Sequence, residues 1–389
     1  MEIGIVGKPN VGKSTFFKAA TLAEVEIANF PFTTINANVG IAYAKAKCVC
    51  KEFNVKCNPQ NSLCINGNRF IPVKIIDVAG LVPGAHIGKG LGNKFLDDLR
   101  RADVLIHIVD ISGKTNEKGE PTEGYDPEQD IKFLEEEIDE WFFAIVKKNW
   151  NNIARKVKYE NKNLIKEFTE VLSGLSINEW HIKKALFDLN FEEKTDFSDY
   201  ELRELSIKLR KISKPILISA NRVDIDDKGN FEKLKEIYRM IPTCSEAELA
   251  LRQAQTHGMI DYIPGESTFQ IVKSLDEKQV KALSIIKKIL EKYNSTGVQE
   301  CINTAIFSIL KRIVVYPVEN ENKLTDQKGN ILPDAYLMPE GSTTLDLAFK
   351  IHTEIGEKFI AAVDCRTKRK LGKDNILKNN DVMKIISGK

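Results

Sequence analysis

The sequence predicts an α/β protein organised around a mostly parallel sheet with helices on both faces. Three observations carry that reading. An apolar strand at residues 2–6 runs into Gly7-x-x-x-x-Gly12-Lys13-Ser14 and then into a helix-forming run. Two later runs, "PVKIID" and "KPILIS", read as buried strands, and ligands in such sheets bind beyond the strands' C-terminal ends. Between Asp110 and Lys214 the pattern changes to apolar residues at helical spacing with charged residues between them.

A chain of 389 residues is too long for one ordinary core, so two or three domains are expected. Apolar residues at 42% and charged residues at 29% are those of a soluble globular protein. A formal charge of +2 confines any nucleic-acid surface to a local patch. The cysteine count, 7, is odd, which fits a reducing cytosol better than a disulfide framework. The first residues enter a strand without a leader-like segment, and no apolar run approaches the ~18 residues of a membrane span. The expectation is a cytoplasmic protein with no membrane partner.

The glycine-rich loop lets backbone N–H groups wrap a phosphate, and the following helix N-terminus adds partial positive charge. Lys13 reaches the β and γ phosphates and Ser14 offers a hydroxyl to Mg²⁺, with Gly7, Asn10, Val11, Gly12 and Thr15 completing the nucleotide-binding loop. Downstream, "FPFTT" presents Thr33 and Thr34; Thr34 suits a γ-phosphate sensor with its hydroxyl on Mg²⁺. "IIDVAGL" ends its strand on Asp77-x-x-Gly80, where Asp77 can hold Mg²⁺ through water and the Gly80 N–H can approach the γ-phosphate.

"GKPNVGKST", "FPFTT" and "DVAGLVPGAHIGKGLGNKFLDDLRRAD" together resemble the Obg family of P-loop GTPases, and within it the YchF-related branch. The resemblance implies a P-loop NTPase G domain, an α-helical insertion, a C-terminal β-grasp (TGS) domain, GTP and GDP as ligands, and association with the ribosome or its rRNA and tRNA. The expected layout is a first G-domain part at 1–130, the insertion at 131–209, the G-domain remainder at 210–270, a helical connector at 271–312 and the TGS domain at 313–389. The chain has Leu81 where signalling GTPases place a water-orienting glutamine, so hydrolysis is expected to be slow or to use another group. Asn10 resembles an asparagine with which related GTPases hold K⁺. His107, in "VLIHIVD", reads first as a core histidine of an apolar strand, and it also matches a histidine given a catalytic role in the YchF-like branch. His86 reads as a switch-loop side chain.

After "KPILIS" come Asn221, Arg222 and Asp224, an N-K-x-D motif with arginine for lysine. Asp224 can accept from N1–H and the 2-amino group of guanine, a match adenine lacks, and a guanidinium can stack on a purine. GTP is therefore the expected ligand. ATP is the alternative, because many YchF-like proteins replace this aspartate. Cys244, Ser245 and Glu246 stand in the last base-contacting loop.

Cys48, Cys50, Cys57 and Cys64 form C-x-C-x6-C-x6-C between two candidate strands. The open readings are a Zn²⁺ site, a set of reduced and partly buried thiols, and a redox-sensitive cluster. Near the C-terminus Arg366, Lys368, Arg369, Lys370 and Lys373 can track phosphates, without the aromatics that base reading needs. An RNA backbone and a solvated loop are the alternatives there, and no DNA partner is expected.

Overall fold

The computed structural model describes residues 1–21, 38–78 and 98–388. The chain forms two compact units, whose described residues are 1–19, 38–40, 74–78 and 98–301 in the first, and 20–21, 41–73 and 302–388 in the second.

The strands are β1 (Glu2–Val6), β2 (Val39–Lys47), β3 (Leu63–Ile65), β4 (Asn68–Asp77), β5 (Val104–Asp110), β6 (Ile216–Asn221), β7 (Met240–Thr243), β8 (Ile260–Tyr262) and β9 (Phe269–Ile271). They continue with β10 (Arg312–Val318), β11 (Tyr336–Pro339), β12 (Phe359–Asp364), β13 (Lys370–Leu371) and β14 (Asp381–Ser387). The α-helices are α1 (Lys13–Thr21), α2 (Glu128–Glu160), α3 (Leu164–Leu172), α4 (Glu179–Asp188), α5 (Asp199–Ser213) and α6 (Asn230–Leu234). After them come α7 (Ser245–Thr256), α8 (Glu277–Tyr293), α9 (Val298–Asn303), α10 (Thr344–Ile351) and α11 (Thr353–Glu357).

The first unit holds the expected parallel sheet. β1 lies between β4 and β5, in registers that set Ile5 against Asp77 and Val6 against His107. β5 pairs with β6 up to Asp110 opposite Asn221, and β6 pairs with β7 up to Asn221 opposite Thr243. All of these ladders are parallel, so Asp77, Asp110, Asn221 and Thr243 reach one edge beside the loop that follows β1. β5 is buried at every position, which explains why its residues are apolar except for His107 and the terminal Asp110.

The helical stretch after β5 is filled by α2 to α5. α2 is 33 residues long and ends on Asn161 in the left-handed conformation. α5 starts with a capping box, Ser198 with Glu201, and carries Arg210 and Lys211 in its last turn, where cations complement the helix dipole. Arg210, 2% exposed, donates to both oxygens of Asp139 on α2 at 2.6 and 3.1 Å. Trp150 stacks on Phe168 and meets Phe197 edge-on, with centroids 5.9 and 5.2 Å apart. Among the described residues no helix is long and apolar enough to cross a membrane.

The second unit contains a five-stranded sheet in the order β11-β10-β14-β12-β13, with β10 and β14 parallel and the other pairs antiparallel. α10 starts on a capping box of Thr343 with Asp346. In the same unit the β3–β4 hairpin sets Cys64 opposite Arg69. Val49, Cys50 and Ile71 share one apolar core with Val314, Tyr316, Leu332 and Val382.

Candidate nucleotide site

Asn10 and Gly12 turn the chain after β1 through positive φ, at 64° and 96°. Asparagine tolerates that region and glycine enters it freely. A side chain at Gly12 would also collide, since a Cβ there falls 2.4 Å from the Asn221 amide nitrogen. α1 then opens with the Phe16 N–H on the Gly12 carbonyl at 2.9 Å, leaving the helix N-terminus behind the loop. The Lys13 ammonium donates to the Lys8 carbonyl at 2.6 Å. Burial lowers its pKa, opposed by the Asp77 carboxylate. Burial likewise raises the Asp77 pKa, opposed by Lys13. Both groups are thus partly stripped of water.

A cleft of 520 Å³ opens over this loop, lined by Asn10, Gly12, Lys13, Ser14 and Thr15 on one side and by Arg222 and Glu246 on another. Its remaining wall is Lys114, Thr115, Gly119 and Pro121, from a stretch legible in the sequence only as a polar connector. That stretch is pinned to the phosphate loop. The Asn10 amide donates to the Gly119 carbonyl at 3.0 Å, and buried Lys8 donates to the Thr115 carbonyl at 2.9 Å while pairing with Asp130 at 2.7 Å.

Asn221 acts as a brace. Its amide donates to the Val11 carbonyl at 2.7 Å, and its oxygen accepts from the Ser245 N–H and hydroxyl at 3.0 and 2.9 Å. Arg222, at φ 63°, donates to Asp110 at 2.7 Å and to the Asn10 carbonyl at 2.8 Å. Its guanidinium reaches two elements at once, which a lysine's single ammonium does with more difficulty. Asp110 was not singled out by motif. It is 1% exposed and also accepts from the Ser112 and Thr115 hydroxyls at 2.6 and 2.9 Å. The one signal in the sequence was a carboxylate ending a strand that is apolar apart from His107.

Asp224 differs from the buried acceptor that its position after an apolar strand suggests. It is exposed, on the turn Val223–Ile225 that leaves the sheet edge. Cys244 lies beside it, and burial, followed by the Asp224 charge, pushes that thiol well above its usual range. His107 is 2% exposed within β5 and does not line the cleft. Burial first, and then the charges of Lys13 and Lys8, lower its pKa to about 3, so the ring is neutral near pH 7. Gly7, Val11, Asp77, Asn221, Asp224, Cys244 and Ser245 are not among the residues that line the cleft, and the four cysteines belong to the second unit. Thr34 and Gly80, with Thr33, Leu81 and His86, lie outside the described residues.

A parallel sheet with a phosphate loop at its C-terminal edge and an N-x-x-D motif two strands away defines a P-loop GTPase. A family model described as a 50S ribosome-binding GTPase matches residues 2–149. One for the Obg-like GTPase YGR210-like, G4 motif-containing domain matches residues 219–320, and a TGS domain model matches residues 325–387. The chain is 54% identical to the GTP-binding protein MJ1332 of Methanocaldococcus jannaschii, over 99% of this chain and 98% of that protein. It is 31% identical to the ribosome-binding ATPase YchF of Bacillus subtilis, over 77% and 79%. The crystal structure of a GTP-binding protein from Pyrococcus horikoshii OT3 matches with a TM-score of 0.81 at 42% identity, covering all of both chains. The chain belongs to the YchF-like branch of the Obg family of P-loop GTPases, with a C-terminal TGS domain.

Proposed function

We propose that this GTPase is a slow, Mg²⁺-dependent switch that reads guanine with Asp224 and reports its nucleotide state to the ribosome in the cytoplasm. The observation that carries the reading is the convergence of Lys13 and Ser14 with Arg222 and Glu246 on one cleft. Loop N–H groups wrap the phosphates, and the partly desolvated Lys13 gains a counter-charge when it turns from the Lys8 carbonyl to the β and γ oxygens. The exposed Ser14 hydroxyl and the Asp77 carboxylate are oxygen donors of the kind Mg²⁺ takes, and Thr34 and Gly80 complete the set by motif position. Bound Mg²⁺ supplies neutralisation of the charge that develops on the transferring phosphoryl group. A catalytic contribution from His107 is that of a neutral imidazole.

Asp224 accepts the guanine N1–H and 2-amino group, while Asn221 and Arg222 hold the base side to the phosphate side. A competition titration of a fluorescent guanine nucleotide with unlabelled GTP and ATP tests this. GTP should compete at least about tenfold better than ATP, and Asp224→Ala should abolish the difference. ATP competing equally in both proteins would instead favour an adenine-tolerant pocket. The exposure of Asp224 supports that second reading, because a solvated carboxylate loses less when adenine leaves it unpaired.

Asn10 keeps its side-chain oxygen for K⁺ while its amide holds Gly119. The fixed cation would stand in for the glutamine that Leu81 replaces. Turnover should fall when Na⁺ replaces K⁺, and an unchanged rate removes the role. Association with the ribosome is supported by the match to the 50S ribosome-binding GTPase family and by the likeness to the ribosome-binding ATPase of Bacillus subtilis.

A further inference from the structure

We propose that Cys48, Cys50, Cys57 and Cys64 hold one Zn²⁺ as a closed structural tetrathiolate. Spacing alone left reduced thiols and a redox-sensitive cluster open beside the metal, and the geometry of the folded hairpin favours the metal. The four sulfurs all lie within 4.8 Å of one another, although they come from the turn after β2, a loop and β3. Cys48 and Cys57 are 4.0 Å apart at sulfur, and Cys50 and Cys64 are 3.9 Å apart.

A tetrahedron with Zn–S bonds of about 2.3 Å has edges of about 3.8 Å, so these distances need little contraction. Two disulfides would need each pair to close to about 2.05 Å. Four protein sulfurs leave no position for a substrate, so the site is structural.

The surroundings fit a metal thiolate. Cys48 and Cys50 are buried, at 5% and 7% exposure, within the core shared with Tyr316, Val314 and Leu332. Backbone bonds hold the knuckle in place: the Cys48 N–H on the Gly67 carbonyl and the Val55 N–H on the Cys50 carbonyl, both at 2.9 Å. Four thiolates on Zn²⁺ carry a net negative charge, which is costly to bury alone. Arg69, opposite Cys64 in the hairpin register, is fully buried, and Asp334 is a further acidic neighbour. One terminal nitrogen of Arg69 donates to the Leu332 carbonyl at 2.6 Å, while its Nε and Nη1 have no hydrogen-bond partner. A buried cation with donors to spare is the countercharge such a centre needs. The fifth thiol of this core, Cys365, stands outside the sulfur cluster.

The test is metal and thiol analysis of the full chain expressed with zinc supplied. One zinc per chain is expected in the wild type and in Cys365→Ser, falling to background in Cys57→Ser. Replacement by Co²⁺ in the wild type should produce the intense visible absorption of a tetrahedral cobalt thiolate, a readout that needs no variant to fold. Wild-type protein without bound metal overturns the proposal. Thiol titration in denaturant then tells why, with all cysteines reactive if they are free and only Cys244, Cys301 and Cys365 reactive if the hairpin holds two disulfides. Zinc retained at full occupancy by folded Cys57→Ser would also overturn it, because the metal would then lie elsewhere.

Discussion

Asp110 gathers donors from two parts of the chain: Arg222 after β6, and the Ser112 and Thr115 hydroxyls of the connector that walls the cleft. The carboxylate is enclosed, whereas the Arg222 side chain is 30% exposed, so solvent weakens that pair. Asp110→Ala leaves buried donors unpaired and should cost about 2–4 kcal/mol of stability. It should also weaken guanine nucleotide binding, because the cleft wall and the Arg222 brace lose their common anchor. Denaturant midpoints and a nucleotide titration read the two effects. Unchanged values in both would show that Asp110 anchors neither. Motif reading reached Arg222 and missed Asp110, since a motif records which residues recur along the chain and Asp110 is defined by what folds around it.

At the scale of elements, the base-side loop owes its position to structure behind it. The Cys244 N–H donates to the Thr296 carbonyl at 2.9 Å, and the Thr296 hydroxyl donates to Glu248 at 2.5 Å. Glu248 is fully buried on α7 and also accepts from Tyr262 at 2.8 Å and Arg252 at 2.7 Å. Gly297 makes the approach possible: its φ is 84°, and a Cβ there would lie 2.0 Å from the Pro242 carbonyl oxygen. Gly297→Ala combines left-handed strain with an overpacked backbone contact and should cost about 2–4 kcal/mol. Its urea midpoint checks this, and a midpoint equal to wild type would show that the two segments separate freely. The start of α5 is set locally, because the capping box of Ser198 with Glu201 acts over four neighbouring residues. The Glu248 network was not legible in the sequence, because its members are dispersed along the chain and nothing local marks them as partners.

At the scale of the whole molecule, the nucleotide cleft belongs to the first unit and the basic segment at 366–373 to the second. Part of that segment is committed within its own unit. Arg366 donates to both oxygens of Glu52 at 2.6 and 2.8 Å, and Lys368 donates to the Glu321 carbonyl. Arg369, Lys370 and Lys373 remain exposed. If they track ribosomal phosphates, a Lys370→Glu/Lys373→Glu variant should pellet less with ribosomes, with a salt dependence shallower by about two charges. Pelleting identical to wild type would assign the segment to solvent.

The sequence by itself determined the parallel sheet, the phosphate loop, the helical stretch and the family. Each is written in contiguous residues whose spacing follows the period of a strand, a helix or a turn. Only the tertiary structure decided that Asn221 braces two loops, that Asp110 and Glu248 are buried anchors, that Arg366 is paired, and that four cysteine sulfurs converge. Those facts depend on which distant residues meet once the chain has closed, and buried charges and thiols take their chemistry from that company.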